Sequence, residues 1–345
     1  KIQIATKLAS SLNIQLGAKT SEAIGTKHTE NAEAFRLYTQ GRELWMTRSQ
    51  AGMKQSIKLY DQAIKLDDNF ALAFAGIADA YSMLAVYEYM NSDEAYPNAR
   101  KNVLDAITRN PNLAEAYISL GWIQFDYEWK YKDSEKSYRK AISLDKKIAQ
   151  AHQWLGINLA TQGRLEESYE SLLRGKELDP NHHVLLMNLN NTCLRLGKFE
   201  EAEQYSKKGL TINPNFYQLW RTLYNTYFRA GNKEKEIASL IQEIEGIANK
   251  NKPIYDVLIH HYRDIDPDKF KMYFEKADEL DNTTNNTKLQ DRVVLQVGID
   301  KFLELANEAY ENRSLNNGFG FMFFYDEHRE HPGFKALLEK VQKGK

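Results

Sequence analysis

The chain has 345 residues, and its 46 lysines and arginines nearly balance its 47 aspartates and glutamates, for a net charge of −1. So small a net charge gives no electrostatic case for direct binding of nucleic acid or of an anionic membrane surface. Apolar residues make up 42% of the chain, as in ordinary globular proteins, and the single cysteine excludes an intramolecular disulfide and a multi-cysteine metal site.

Residues 1–28 are predicted to be a helix and a linker that remain from a preceding domain. Four aliphatic residues between positions 2 and 12 recur near one face of a helix, and a polar stretch rich in small residues follows. The chain begins at Lys1 without a signal-peptide pattern. We therefore expect an excised or processed piece of a longer protein.

Six helix pairs are predicted between residues 29 and 248, with Thr29 as the first N-cap. The segment Tyr87–Pro97 is predicted to be a long loop, because nine residues are inserted there relative to the later spacing. The predicted helices up to residue 144 are Ala34–Met46, Met53–Leu66, Ala71–Val86, Ala99–Asn110, Ala114–Glu128 and Asp133–Leu144. The sixth pair is predicted over Tyr217–Ala230 and Lys233–Ile247.

The fourth and fifth pairs, Ala149–Pro180 and His183–Pro214, share one skeleton. Their glycines and prolines recur 34 residues apart, as Gly163 and Gly197 do. Such a period predicts an all-α solenoid, in which each hairpin packs on the next. Small residues such as Gly156, Gly175 and Gly209 are predicted to allow close helix crossings, and Gly163, Gly197 and Gly231 are predicted to adopt positive φ.

Beyond residue 249 the period decays into degenerate helical repeats and an aromatic C-terminal cap. Helices are predicted over Lys252–Tyr262, Pro267–Leu280, Leu289–Asn312 and Phe334–Val341. The aromatic segment Gly318–Tyr325 is expected to cover the open apolar end of the solenoid. A docking patch for a partner is the alternative interpretation.

Residues 32–247 resemble the tetratricopeptide repeat family, which implies a right-handed α-α superhelix with degenerate capping helices at its C-terminal end. Three sequence segments also resemble the C-terminal repeat region of bacterial multidomain regulators: Asn31–Trp45, Ser56–Tyr81 and Phe323–Val341. In that group a winged-helix or adenylate-cyclase-like domain precedes the repeats. The second resemblance implies the sensor or partner-binding half of a regulator in signal transduction.

In the tetratricopeptide repeat family, the first helix of each repeat lines a concave groove through six of its positions. Carried onto this chain, those positions imply a groove that runs from an aromatic end to an arginine and asparagine end. Such a groove suits a peptide that carries a carboxylate, although the family's lysine and asparagine clamp is incomplete here. Solvated residues without a dedicated ligand are the alternative. The implied groove residues are Trp122, Phe125, Gln153, Trp154, Asn191, Arg195, Arg221, Asn225, Phe228 and Arg229.

Other chemistry-bearing residues are interpreted as structural. The histidines at 182–183, 260–261, 328 and 331 are expected on the surface, because no second ligand cluster accompanies them. Cys193 is expected to be a buried, inert thiol. No phosphate-binding loop or nucleophile elbow is recognisable, so neither a cofactor nor a metal is predicted.

The leading hypothesis is a non-enzymatic scaffold that binds protein or peptide. A homo-oligomerisation module, such as a homodimer formed through the aromatic cap or through Tyr87–Pro97, is the alternative. An enzyme fragment with a hidden hydrolytic or small-molecule site is the third hypothesis. Membrane insertion is not expected, because Asp79 interrupts the longest apolar stretch. One cysteine suits both a reducing cytoplasm and an extracytoplasmic location.

Overall fold

The computed structural model describes residues 28–231, 233–248, 255–263, 265–284, 299–301, 303–304, 306–308, 311 and 331–343. In these ranges every regular element is an α-helix. They fall into two compact units, one ending at Ile123 and the other beginning at Gln124. The predictions for residues 1–27, for the aromatic segment Gly318–Tyr325 and for His328 lie outside the described residues.

The first unit consists of helical hairpins and the start of a fifth helix. Helix α1 packs on α2, α2 packs on α3, and α3 packs on α4, while α1 also contacts α3. The boundary between the units falls inside α5. The bounds are α1 Ala32–Met46, α2 Gln50–Leu66, α3 Ala71–Val86, α4 Ser92–Arg109 and α5 Ala114–Asp126.

The second unit continues the series of hairpins. Each helix from α6 to α13 contacts its successor in the chain. The bounds are α6 Tyr131–Leu144, α7 Ala149–Thr161, α8 Leu165–Leu178, α9 His183–Arg195, α10 Phe199–Ile212, α11 Tyr217–Ala230, α12 Glu234–Ala248, α13 Tyr255–Tyr262, α14 Pro267–Thr284 and α15 Pro332–Lys343. The predicted all-α solenoid of hairpins is confirmed. Within the described ranges, no helix is long and apolar enough to cross a membrane.

The cap of α1 is Asn31, so the prediction of Thr29 was wrong. The Asn31 side chain accepts hydrogen bonds from the backbone N–H groups of Glu33 and Ala34, each at 3.0 Å. The Thr29 hydroxyl instead accepts from the backbone N–H of Asn31 at 3.1 Å and donates to the Asp67 carboxylate. Thr29 therefore fastens the segment before α1 to the turn after α2.

The long loop predicted over Tyr87–Pro97 is also wrong in its second half, because α4 begins at Ser92. Asn91 caps this helix by accepting a hydrogen bond from the backbone N–H of Asp93 at 2.8 Å. Pro97 lies inside the helix, exposed and in its second turn, where it removes one backbone hydrogen bond. The inserted residues thus lengthen a helix instead of a loop.

Close helix crossings occur at the predicted glycines. A Cβ on Gly156 would lie 2.6 Å from Cγ of Leu172, and one on Gly175 would lie 2.7 Å from Cδ1 of Leu185. Contacts this short exclude a side chain unless the neighbour moves. The small residues therefore set the spacing between helices, as predicted.

The tight turns inside the later hairpins are made by glycine. Gly163, Gly197 and Gly231 have φ of 80°, 72° and 75°, which confirms the predicted positive values. Earlier in the chain, positive φ occurs at non-glycine residues instead, namely Arg48, Glu88 and Trp129.

Candidate functional site

The first helices of three successive hairpins lie side by side in the second unit. Helix α9 contacts both α7 and α11. Nη1 of Arg195 donates to the carbonyl oxygen of Ala160 at 2.7 Å, and Nδ2 of Asn190 donates to Oγ1 of Thr226 at 2.9 Å. The structure thereby brings together the helices that carry eight of the ten predicted groove residues.

The predicted groove residues differ in burial. Phe125, Gln153 and Asn225 are nearly inaccessible, with exposed fractions of 5%, 4% and 7%, whereas Phe228 is 50% exposed. The Phe125 ring packs 5.5 Å from the ring of Tyr131, as a core residue does. The other six are half-buried: Trp122, which belongs to the first unit, and Trp154, Asn191, Arg195, Arg221 and Arg229.

Four amide side chains on α9 and α11 have a buried atom without a hydrogen-bond partner among the described residues. These atoms are Nδ2 of Asn188, Oδ1 of Asn190, Oε1 of Gln218 and Oδ1 of Asn225. On their helices, Asn188 precedes the predicted Asn191 by three residues, and Gln218 precedes Asn225 by seven, so each pair shares a helix face. An unsatisfied buried polar group costs about 1–3 kcal/mol. The two helices therefore carry one unmet donor, on Asn188, and three unmet acceptors, of which that of Asn190 lies in the core between the helices.

A buried polar connection, which was not predicted, holds the same helices in place. Nδ2 of Asn190 donates to the carbonyl oxygen of Ala202 at 2.8 Å and to Oγ of Ser206 at 2.9 Å, in addition to Thr226. Asn190 lies 34 residues after Gly156, so an amide occupies the position that glycine holds in the preceding hairpin. That departure from the repeat was the sequence signal for this connection.

The described histidines of the predicted set are half-buried, so they reach the surface while also packing against neighbours or capping a helix. His182 caps α9, its ring Nδ1 accepting a hydrogen bond from the backbone N–H of Leu185 at 3.1 Å. The ring of His260 packs edge-on against Phe228 at 5.2 Å, and burial lowers the pKa of His261. Among the described residues, no group of three or more histidine, cysteine or acidic side chains could hold a metal ion.

The prediction of a buried thiol is confirmed. Cys193 has an exposed fraction of 0% and packs in a cluster with Leu189 and Tyr205. Burial, with the nearby Glu201 carboxylate, raises the pKa of this thiol to about 12. Cys193 is therefore neutral and a poor nucleophile at ordinary pH.

The family model of the tetratricopeptide repeat matches residues 185–216, which span α9, α10 and the turn that follows. The chain also shares its fold with PilW, described as a widely conserved type IV pilus biogenesis factor. That structure has a TM-score of 0.54 and 18% identity, over 66% of this chain and 99% of that one. This chain contains a tetratricopeptide repeat at residues 185–216.

Two relatives match parts of this chain. Small glutamine-rich tetratricopeptide repeat-containing protein 2 of Mycosarcoma maydis is 28% identical over 123 residues, which are 36% of this chain and 33% of that protein. Transcriptional regulator HilA of Salmonella typhimurium is 22% identical over 144 residues, 42% of this chain and 26% of HilA. The matches thus span a third or less of each relative's length. Tetratricopeptide repeats form protein–protein interaction scaffolds, which are generally non-catalytic.

Proposed function

We propose that this chain binds an extended segment of a partner protein on the face formed by α7, α9 and α11. The observation that carries the proposal is the set of unpartnered amide atoms on Asn188, Gln218 and Asn225. A peptide main chain carries both N–H donors and carbonyl acceptors, so one extended segment can satisfy unmet groups of both kinds.

The side chains around these amides suggest the composition of the bound segment. Arg195, Arg221 and Arg229 on α9 and α11 add positive charge, which favours acidic side chains in the partner. The exposed ring of Phe228 and the half-buried ring of Trp154 offer apolar contact area. The proposed partner segment is therefore extended and acidic, with interspersed apolar residues.

We further propose that the scaffold acts within a larger regulatory protein. The resemblance of three sequence segments to the repeat region of bacterial multidomain regulators supports this role. The similarity to part of the transcriptional regulator HilA supports it as well. In this arrangement the repeats recognise the partner, and another part of the regulator produces the output.

The binding face is tested by selecting peptides from a random 12-residue display library on the full chain and measuring their affinities by calorimetry. We expect Arg221→Glu to weaken binding by at least tenfold, through reversal of a charge. Asn225→Ala should weaken it several-fold, through loss of one hydrogen bond. Arg174→Glu is the matched control, because Arg174 lies exposed on the second helix α8 and pairs with Glu177. Selection of no peptide, or equal affinities for all four proteins, would contradict the proposal.

A further inference from the structure

The first unit holds a second cluster of charged and aromatic side chains, at the end of α1. The ring of Trp45 contacts two guanidinium groups, with Cζ of Arg42 at 4.2 Å and Cζ of Arg48 at 3.6 Å from its centroid. Arg48 lies in the turn after α1 with φ of 55°, a conformation that costs a non-glycine residue roughly 1–2 kcal/mol. This unusual turn directs the Arg48 side chain back against α1.

Two carboxylates accompany these two cations. Asp79 on α3 lies 3.5 Å from Nη1 of Arg42, and its Oδ1 accepts a hydrogen bond from Oγ of Ser119 at 2.6 Å. Burial raises the pKa of Asp79 against the effect of Arg42, and the nearby Glu115 carboxylate raises it further. The cluster is therefore close to electrically neutral, although it concentrates four charged groups.

The charges of the cluster balance, but two of its hydrogen-bond donors lack acceptors. Nη1 of Arg48 and Nε1 of Trp45 are both buried, and neither has an acceptor among the described residues. Both atoms can only donate, so only an added acceptor can satisfy them. Trp45 is 9% exposed, whereas the side chains of Arg42 and Asp79 are each 33% exposed and provide access from solvent.

We propose that this cluster binds one carboxylate group of a peptide, either an acidic side chain or a C-terminal carboxylate. A carboxylate has two coplanar acceptor oxygens, so one can accept from Nη1 of Arg48 and the other from the indole N–H of Trp45. The resident carboxylates of Asp79 and Glu115 would repel a dianion such as phosphate more strongly than a monoanion.

Apolar side chains flank the cluster and indicate what adjoins the bound carboxylate. Met46, which follows Trp45 in the chain, is 60% exposed. Tyr87, which interacts electrostatically with Arg48, is 44% exposed and stacks on Tyr89 with 5.9 Å between ring centroids. A carboxylate next to an aromatic or aliphatic residue therefore fits best. The site lies wholly in the first unit and stands independently of the face formed by α7, α9 and α11.

The test uses the full chain, labelled with ¹⁵N, and follows the indole N–H signals of its five tryptophans by nuclear magnetic resonance. The Trp45 signal is assigned by its loss in Trp45→Phe. The probes are N-acetyl-phenylalanine, which carries a terminal carboxylate, and N-acetyl-phenylalanyl-glutamic α-amide, which carries only a side-chain carboxylate. N-acetyl-phenylalanine amide is the uncharged control.

We expect at least one carboxylate probe to shift the Trp45 indole signal saturably, with a dissociation constant of about 1 mM, as is typical of small ligands. The probe that binds more tightly identifies the source of the carboxylate. Arg48→Gln and Arg42→Gln should each weaken binding by about tenfold, through loss of a charged hydrogen bond. Arg36→Gln should not weaken it, since Arg36 is on the same helix but pairs with Glu33.

Three results would overturn the proposal. The first is the absence of a saturable shift with both carboxylate probes. The second is an equal shift with the amide probe or with sodium chloride at the same ionic strength. The third is unchanged affinity in both arginine variants. If either variant fails to fold, the comparison of acid and amide probes on the unsubstituted chain still shows whether the cluster binds a carboxylate.

Discussion

Nδ2 of Asn190 donates a hydrogen bond to Oγ1 of Thr226 across two neighbouring first helices, and both residues are fully buried, with exposed fractions of 0% and 1%. The same amide nitrogen also donates to the carbonyl oxygen of Ala202 and to Oγ of Ser206, which both lie on the second helix of the same hairpin. One side chain thus ties three helices together, at the position that Gly156 holds in the preceding hairpin. The stability of this region should depend strongly on it.

Asn190→Ala should lower the free energy of unfolding by about 2 kcal/mol or more, because it leaves buried partners unsatisfied and opens a cavity. Urea unfolding followed by circular dichroism measures the change. The matched control is Asn191→Ala at the adjacent, half-buried position, for which we expect about 0.5 kcal/mol or less. Equal effects of the two substitutions would show that the connection does not stabilise the fold.

Gly156→Ala should destabilise the protein by about 1–3 kcal/mol, because the new methyl group overlaps Leu172 and approaches the Ser168 carbonyl. Gly246→Ala is the control, since nothing lies within 4 Å of a Cβ built there and the residue is also helical. It should stabilise the protein by up to about 1 kcal/mol through helix propensity. Thermal unfolding of both variants checks the opposite signs, and a stabilised Gly156→Ala protein would refute the close crossing.

Cys193 should react with a thiol reagent only when the protein opens. In the folded protein at pH 8 we expect labelling by dithionitrobenzoate to be far slower than in urea, because the thiol is buried and its pKa is about 12. The time course of absorbance at both conditions measures this difference. Rapid labelling of the native protein would contradict the buried position.

Glu245 should make the second unit sensitive to acid. Its Oε1 accepts hydrogen bonds from the Tyr262 hydroxyl at 2.9 Å and from Lys269 and Tyr273 at 3.0 Å each. Burial raises the pKa of Glu245, but these donors outweigh it and lower the pKa overall. The stabilisation is therefore present above the unfolded-state pKa of about 4.3 and is lost as the pH falls through the lower folded-state value.

Glu245→Gln should accordingly be less stable than the unsubstituted chain at pH 7, and the difference should shrink towards pH 3. Urea midpoints measured at both pH values test this trend. Glu243→Gln, two residues earlier at an exposed position of the same helix, is the control and should show little difference at either pH. If the difference in urea midpoint between Glu245→Gln and the unsubstituted chain is the same at both pH values, the charge of Glu245 does not contribute to stability.

The repeat was predictable because its signals are local. A turn needs glycine at positive φ, as at Gly163, and close helices need a small residue, as at Gly156. Those requirements act within one or two hairpins and recur at a fixed spacing. The errors arose where a residue had two plausible roles, as with Pro97, which was interpreted as ending a loop but lies inside a helix.

The candidate faces were less predictable, because they depend on which side chains find partners. Repeat positions alone do not distinguish Phe125, which packs against Tyr131, from Phe228, which is half exposed. The unmet amides of Asn188 and Gln218 emerge only after the surrounding donors and acceptors are placed. No sequence pattern indicates a role for Arg48, because its contact with Trp45 follows from a single unusual backbone angle.

The sequence by itself determined the 34-residue repeat, the pairing of helices and the turns that join them, since each depends on residues close together in the chain. Only the tertiary structure decided that Asn190 bridges three helices and that Trp45 and Arg48 keep unsatisfied donors. Hydrogen-bond balance is the physical reason. Whether a buried polar atom is satisfied depends on side chains from several helices at once, and no local pattern records their arrangement.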